Sequence, residues 1–372
     1  MIITKTRNLL FLSVFLLFLS CNEATEKKTD TINIVAGTSR ITGNITSPPD
    51  QNKGSIIVTI IVRNPISGEN VRHEILADQS GNFSFDYDIE TETTVLSFFT
   101  SVSPYKMLYM KANNKGTTHI DIEYNSNRDI KNVEVSPAIN KYDMMQTMGV
   151  LNKMIDYIPN DPNWKPLHFY NKSIDEFWDY ARNDLPRKMA LFVNNDQELS
   201  EEFKDLIAKD YRLYWYTEHV FAYEASMKHD YRNATGDTVN IPNTQKPDRS
   251  YFRFLKDFNL NDPQYLHTFT FPEFQDSILN NEVLALPAIG ESDILSWLAS
   301  AKGILAESLG FDEGPYYDIL AANAYGQQLN EQRNPLTDKQ KEHITDYWEN
   351  GEIAKILFRK NRQIVELQTI FH

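Results

Sequence analysis

The chain has 372 residues, with 37 Lys and Arg against 51 Asp and Glu, and its formal net charge is -14. Hydrophobic residues make up 41% and charged residues 24%, a composition typical of a globular chain with about two domains. The negative charge argues against a nucleic-acid partner, because phosphates would be repelled. A single cysteine excludes an intramolecular disulfide, a CxxC redox pair and a Cys-based zinc cluster.

The first twenty residues have the features of a secretory signal peptide. Lys5 and Arg7 precede an apolar run over residues 9–19, and this stretch contains no acid. The run is too short for a membrane-spanning helix, which needs about 20 apolar residues. We therefore expect residues 1–20 to be a cleaved signal.

The end of this segment resembles the lipobox of bacterial lipoproteins. Its sequence is Leu17-Phe-Leu-Ser-Cys21, and it departs from the family pattern at Phe18, where a smaller aliphatic residue is usual. The resemblance implies that the peptide is cut before Cys21 and that this cysteine is lipidated. Several buried acyl chains anchor a protein to a membrane effectively permanently. The predicted location is the bacterial cell envelope, on the periplasmic side or at the surface of the outer membrane.

A short polar segment separates this anchor from the folded part. Residues 22–30 read NEATEKKTD and contain no apolar side chain larger than Ala. Such a segment contributes nothing to a core. We interpret residues 21–30 as a tether.

Residues 31–136 have the pattern of short strands joined by turns. The clearest strand alternates Phe83, Phe85, Tyr87 and Ile89 with polar residues, as a strand with one buried face requires. Turn sequences such as Ser80-Gly-Asn separate the strands. The other predicted strands are Ile41–Ile45, Ser55–Val62, Val71–Ile75, Val95–Phe99, Met107–Met110 and Thr118–Tyr124. About seven strands predict an antiparallel β-sandwich or barrel-like domain.

From residue 137 to residue 372 the apolar spacing changes to that of helices. Capping boxes are predicted at Ser173 with Glu176 and at Thr337 with Gln340. Asp262 is a predicted N-cap, and Gly310 a predicted C-terminal stop. The longest predicted helix runs from Ser200 to His229. The predicted fold class is therefore α+β with two segregated domains, the β domain first and an all-helical domain second.

This organisation resembles the N-terminal portion of TlpA-like thiol:disulfide oxidoreductases of the thioredoxin family. The resemblance covers about residues 32–368 and rests on the Gly81–Phe85 strand and on the segment from Tyr251 to Leu266. In that family a C-terminal thioredoxin fold with a CxxC site follows. The sequence given ends at His372 without that motif, so the resemblance implies the accessory portion and not the redox activity.

The sequence indicates no catalytic residue, metal site or cofactor. His219 and His229 are ten residues apart, whereas a helical metal pair needs a spacing of four. No phosphate-binding glycine loop and no G-x-S-x-G motif occurs in the sequence. Pairs of acids are explained by the preference of carboxylates for helix starts. We therefore expect a protein that is not an enzyme and needs no cofactor.

Aromatic residues are crowded between positions 211 and 223. Tyr211, Trp215 and Tyr216 are candidates for ligand binding, since exposed rings stack on sugars or peptides. The alternative is a helix buried between two layers. Three acidic-Ser/Thr-aliphatic triplets also resemble an O-glycosylation pattern of envelope proteins, with acceptors at Thr31, Thr238 and Ser277.

Three functions follow from these observations. The first is a non-catalytic, lipid-anchored envelope protein that binds a protein partner or a small ligand. The second is an accessory or truncated part of a thiol:disulfide oxidoreductase system. The third is a glycan-binding surface lipoprotein. The predicted partners are the membrane, through the lipid anchor, and a protein or a glycan.

Overall fold

The computed structural model describes residues 33–46, 53–156 and 169–371. The predicted signal peptide, Cys21, the tether and Thr31 lie outside these residues. Within the described ranges, no helix combines the length and apolar character that crossing a membrane requires. The structure has a β region followed by a helical region, which confirms the predicted fold class.

The β region is a sandwich of two four-stranded sheets. One sheet has the order β4-β1-β7-β8 and the other the order β3-β2-β5-β6. The strands are β1 (Ile34–Thr46), β2 (Ile57–Asn64), β3 (Glu69–Leu76), β4 (Asn82–Thr91), β5 (Thr93–Thr100), β6 (Leu108–Asn113), β7 (Thr117–Tyr124) and β8 (Ile130–Ser136).

The alternating residues of β4 hold the two sheets together. Phe83, Tyr87 and Ile89 are buried, whereas Ser84 and Asp86 between them are exposed. The ring of Phe83 lies 5.9 Å from that of Phe98 in the opposite sheet. This confirms the face assigned to β4 from its sequence, because only one side of that strand meets the apolar core.

Two features of the sandwich differ from the sequence-based expectation. β8 is an eighth strand, which the pattern did not predict because Lys131 and Asn132 are adjacent polar residues that interrupt the alternation. β1 pairs with β4 in antiparallel fashion but with β7 in parallel fashion. Gly43 permits the second contact, since a Cβ at this position would lie 1.9 Å from the carbonyl oxygen of Ile120.

Helices begin shortly after the last strand, which ends at Ser136. The α-helices of the described residues are α1 (Lys141–Ile155), α2 (Ile174–Met189), α3 (Glu201–Trp215), α4 (Tyr223–Thr235), α5 (Phe271–Leu279), α6 (Ile294–Leu309), α7 (Pro315–Asn330), α8 (Asp338–Trp348) and α9 (Glu352–Phe371). Short 3-10 helices span Lys53–Ser55, Phe169–Asn171, Arg249–Asp257 and Pro263–His267.

The predicted helix ends are confirmed. Ser173 and Thr337 each form a capping box, with Glu176 and Gln340 respectively. Asp262 accepts a hydrogen bond from the backbone N–H of Gln264, although the helix it caps is of the 3-10 type. Gly310 ends α6 in the left-handed conformation that glycine adopts without strain.

The long helix predicted from Ser200 to His229 is wrong as one continuous α-helix. A π-helical turn, Tyr216–Phe221, separates α3 from α4. Two carbonyls of this turn accept hydrogen bonds from side chains: Ser226 donates to His219, and Tyr251 donates to Val220. π turns are frequent at functional sites, and their wider spacing is not encoded in an apolar pattern of period 3.6.

Buried and partly buried polar contacts join the helices to the sandwich. Asn323 of α7 donates to the carbonyls of Pro65 and Ile66, each at 2.8 Å, in the loop between β2 and β3. Arg359 of α9 donates to the carbonyl of Gly37 at 2.7 Å. Because buried carbonyls need partners, the contacts of Asn323 fix the sandwich against α7, and the partly buried contact of Arg359 links it to α9.

Candidate functional site

A large cavity of about 950 Å³ lies within the helical region. Its walls come from the end of α1, the 3-10 helix at Phe169–Asn171, α2, α3 with the π turn, and α4. This volume is near the upper end of the range of about 300–1,000 Å³ that is typical of small-molecule sites.

One wall is a single stripe along α3 and the π turn. Tyr211, Tyr214, Trp215, Glu218 and His219 all line the cavity. Their spacing of 0, 3, 4, 7 and 8 residues places them on one side of the helix. The rings of Trp215 and His219 are in contact, with centroids 4.9 Å apart.

The facing wall is also aromatic. Phe169, Phe177 and Tyr180 line it, and the centroid of Phe169 lies 5.5 Å from that of Phe177 and 4.5 Å from that of Tyr180. Phe177 is buried and packs on Tyr223 at the start of α4. The rings therefore hold each other in place, and the walls are formed before any ligand arrives.

A buried lysine lines the cavity and forms an ion pair with a buried aspartate. Lys188 lines the cavity and is 1% exposed, and its Nζ donates to the hydroxyl of Tyr211 at 2.8 Å. The Oδ2 atom of Asp184, one helical turn earlier, lies 3.1 Å from the same Nζ. Asp184 also accepts a hydrogen bond from the partly exposed Arg187. Burial lowers the pKa of Lys188, while Asp184 opposes that shift.

His219 is kept neutral by its surroundings. Burial, followed by the nearby charge of Lys188, lowers the pKa of His219 to about 4. At neutral pH its ring therefore has one donating and one accepting nitrogen. It is a hydrogen-bonding group of the wall and not a fixed charge.

Polar and exposed residues surround the mouth. Glu218, His229 and Asn233 are exposed lining residues, and Asp230 is partly buried. Asp230 accepts a hydrogen bond from the backbone N–H of Tyr170 at 3.0 Å, and Asn233 is 2.9 Å from the ring of His229. Ala225 and Ala234 are also exposed and line the cavity, so that small side chains leave the entrance open.

The three aromatic candidates from the sequence are not together. Tyr211 and Trp215 line the cavity, whereas Tyr216 lies on the other side of the helix, against Phe254 and Phe258. All three are buried, with 1%, 4% and 3% of their surface exposed. This burial agrees with the alternative of a helix between two layers, and a role of the three residues in ligand binding stays a prediction.

The sequence analysis did not identify Lys188 of the cavity wall or its ion-pair partner Asp184. Lys188 and Asp184 are spaced by four residues, which in a sequence resembles an ordinary surface ion pair. The sequence does contain one indication that the pair is buried. Both residues fall within the apolar stripe of α2, on the same side as Phe177 and Ala181. A charged pair on a buried helix face is unusual.

The two histidines rejected as a metal pair by their spacing both line the cavity. Even so, the described residues contain no cluster of three or more His, Cys, Asp or Glu that would hold a metal ion. The proposed glycosylation acceptors differ in setting. Thr238 is exposed in the loop after α4, whereas Ser277 lies in α5 and its hydroxyl donates to the carbonyl of Glu273.

Comparison with known proteins adds no family assignment, because neither a family model nor a curated protein matches the sequence.

Proposed function

We propose that this protein is a lipid-anchored envelope protein that binds a small ligand in the cavity between α2, α3 and α4. The observation that carries the proposal is the cavity itself, with a volume of about 950 Å³, aromatic walls and a few polar groups. Sites for small molecules typically have this composition, since apolar walls supply affinity and sparse polar groups fix orientation.

The apolar surface of the cavity walls is the main source of binding free energy. Water held against several aromatic side chains is displaced when a ligand with an apolar face enters, and each Å² of apolar surface removed from water contributes about 25 cal/mol. Since the rings are already packed against one another, little side-chain entropy is lost on binding. A ligand that covers the rings therefore binds without first reorganising the site.

The neutral dye N-phenyl-1-naphthylamine tests this proposal, because its fluorescence rises in an apolar site. We expect the wild-type protein to bind it with one dominant site. Ala225→Phe narrows the mouth at an exposed helix position and should weaken binding. Ala299→Phe is the matched control, because Ala299 is an equally exposed helical alanine of α6 away from the cavity.

The comparison of the two variants decides the result. Weaker binding by Ala225→Phe alone supports a ligand site in this cavity. Equal binding by both variants would place the dye elsewhere and reject the proposal. Circular dichroism of both variants checks that their helices are intact.

The anchor is a separate part of the proposal and rests on the lipobox-like sequence that ends at Cys21. Mass spectrometry of protein isolated from its native host should show an N-terminal peptide beginning with an acylated Cys21. An unmodified thiol at this position would reject the anchor and leave the cavity proposal unaffected.

A second candidate is an accessory part of a thiol:disulfide oxidoreductase system. The order of a β-sandwich followed by helices favours it, because this is the order that the resemblance implies. The purified chain alone should not reduce insulin, since Cys21 is its only cysteine. Addition of the chain should raise the reduction rate of a separate thioredoxin-fold protein from the same host. An unchanged rate rejects this candidate.

A further inference from the structure

We propose that the cavity binds an organic cation, that is, an apolar molecule that carries an ammonium group. This inference rests on the proposed ligand-binding function and adds the chemical class of the ligand. It is based on the side chains of the cavity that solvent reaches. The described lining offers three partly exposed rings and two carboxylates at the mouth, but no accessible Lys or Arg.

Partly exposed aromatic rings form the accessible apolar wall of the cavity. Phe169, Tyr180 and Tyr214 line it, and each keeps part of its surface in contact with solvent. Ile155, at the end of α1, is an exposed apolar side chain in the same lining. A ligand with an apolar body covers these side chains and removes their surface from water. The faces of aromatic rings also attract cations, because the π electrons carry negative charge.

Two carboxylates at the mouth have no cationic partner. Glu218 is exposed, whereas Asp230 is partly buried and accepts a hydrogen bond from the backbone N–H of Tyr170. Within the part of the chain that the structure describes, neither carboxylate forms an ion pair. Burial raises the pKa of Tyr214, and the charges of Glu218 and Asp156 raise it further, which places the Glu218 carboxylate close to the aromatic wall. An ammonium group at the mouth would therefore be attracted while the rest of the ligand contacts the rings.

The buried lysine of the lining does not offset this negative charge. Lys188 is 1% exposed, and its Nζ already lies 3.1 Å from the Oδ2 atom of Asp184. His219 adds no positive charge near neutral pH, because its pKa is lowered to about 4. The chain as a whole carries a net charge of -14. An anionic ligand would therefore be repelled from the mouth, whereas a cationic ligand would be attracted to it.

The size and apolar surface of the cavity favour an organic cation over a metal ion. A volume of about 950 Å³ is far larger than one ion needs. A hydrated metal ion at the carboxylates would also leave the partly exposed rings in contact with water. A molecule with an apolar body and one ammonium group uses both features of the cavity, since the body covers the rings and the ammonium group meets the carboxylates.

Three dansyl probes that differ in one terminal group test the inference. Dansylcadaverine ends in an ammonium group, N-pentyl dansylamide is its neutral counterpart, and 6-(dansylamino)hexanoate ends in a carboxylate. Fluorescence titration at about pH 8, where histidine side chains are ordinarily uncharged, gives the three dissociation constants. We expect dansylcadaverine to bind about fivefold more tightly than the neutral probe, and the carboxylate probe to bind more weakly than the neutral probe.

Two conservative variants locate the charge that causes this preference. Glu218→Gln removes one charge at the mouth and keeps the size of the side chain, so the preference for dansylcadaverine over the neutral probe should fall from about fivefold to about twofold. Glu224→Gln is the matched control and should keep the full preference, because Glu224 is also exposed but does not line the cavity. Raising the salt concentration from about 10 mM to about 1 M shortens the Debye length from about 30 Å to about 3 Å and should reduce the wild-type preference.

Each result has a distinct meaning. A preference for dansylcadaverine that salt and Glu218→Gln reduce and that Glu224→Gln retains supports the inference. Equal affinities for the three probes, tighter binding of the carboxylate probe, a preference unchanged by salt, equal effects of the two variants, or no binding of any dansyl probe overturns it. If the naphthylamine dye still binds in a manner sensitive to Ala225→Phe, the ligand class fails while the proposed function stands. Loss of dye binding as well rejects both.

Discussion

Replacing two helical glycines by alanine tests how the helices dock on the sandwich. A Cβ at Gly326 of α7 would lie 2.1 Å from the carbonyl oxygen of Ser67, which is a backbone atom in the loop between β2 and β3. At Gly303 of α6 a Cβ would meet no atom within 4 Å. Both positions are inside α-helices, so that the two substitutions have the same intrinsic effect on the helix and differ only in contact.

The two substitutions should change the free energy of unfolding in opposite directions. In a helix interior, Gly→Ala raises the free energy of unfolding by about 0.5–1 kcal/mol. Gly303→Ala should show this gain. At Gly326 the loop must move, and overpacking of this kind costs about 1–3 kcal/mol. The movement also weakens the hydrogen bonds that Asn323 and Asn330 donate to the same loop. We expect a net loss of about 2 kcal/mol for Gly326→Ala.

Urea denaturation followed by circular dichroism measures both effects. The midpoint should rise for Gly303→Ala and fall for Gly326→Ala, with similar slopes for the two transitions. Equal stability of Gly326→Ala and Gly303→Ala would contradict the close approach of α7 to the sandwich.

Three further predictions concern stability. Asn323→Leu leaves two buried carbonyls unpaired and should lower the free energy of unfolding by about 1–3 kcal/mol, measured by the same urea titration. Lys188→Met should lower the free energy of unfolding by about 3 kcal/mol, because the buried Asp184 loses one of its two cations. The double variant Asp184→Leu, Lys188→Met should recover most of this loss. A double variant no more stable than Lys188→Met alone would show that the pair is not coupled. Between pH 4 and pH 6.5 the His219 side chain binds a proton in the unfolded chain but not in the folded protein. His219 should therefore raise the free energy of unfolding by about 3 kcal/mol as the pH increases over this window. His219→Gln should flatten this part of the profile of unfolding free energy against pH. A slope from His267 remains, because burial also lowers the pKa of His267 to about 4. An unchanged profile would contradict the burial of His219.

The sequence predicts local structure where one physical signal is decisive. Phe83, Tyr87 and Ile89 alternate with polar residues, and the burial of β4 follows from this pattern alone. The capping boxes at Ser173 and Thr337 depend only on residues three positions apart. These features are local in the chain, so that their recognition does not require knowledge of the tertiary fold.

The remaining features depend on contacts between distant segments. The parallel pairing of β1 with β7 joins residues about 77 positions apart, as in the hydrogen bond between Thr42 and His119. The π turn at Tyr216–Phe221 is accommodated by Tyr251, which lies outside the helix. Neither contact leaves a periodic signal in the sequence.

The site was predictable in part. Aromatic crowding around Tyr211 and Trp215 pointed to a helix that lines the cavity, and both residues are part of its wall. Tyr216 was included because a sequence does not show which ring faces the cavity and which packs on Phe254. Lys188 was missed because its burial arises from the packing of α2 against α3, where it donates to the hydroxyl of Tyr211.

The indole N–H signals of the tryptophans test the central claim, that the cavity is a ligand site. The chain has five tryptophans, and two of them are informative. Trp215 lines the cavity, whereas Nε1 of Trp297 donates to the carbonyl of Pro287 at 2.8 Å, away from it. In a ¹⁵N–¹H correlation spectrum recorded with N-phenyl-1-naphthylamine, we expect the Trp215 signal to shift and the Trp297 signal to stay. A stationary Trp215 signal in the presence of bound dye would contradict the account.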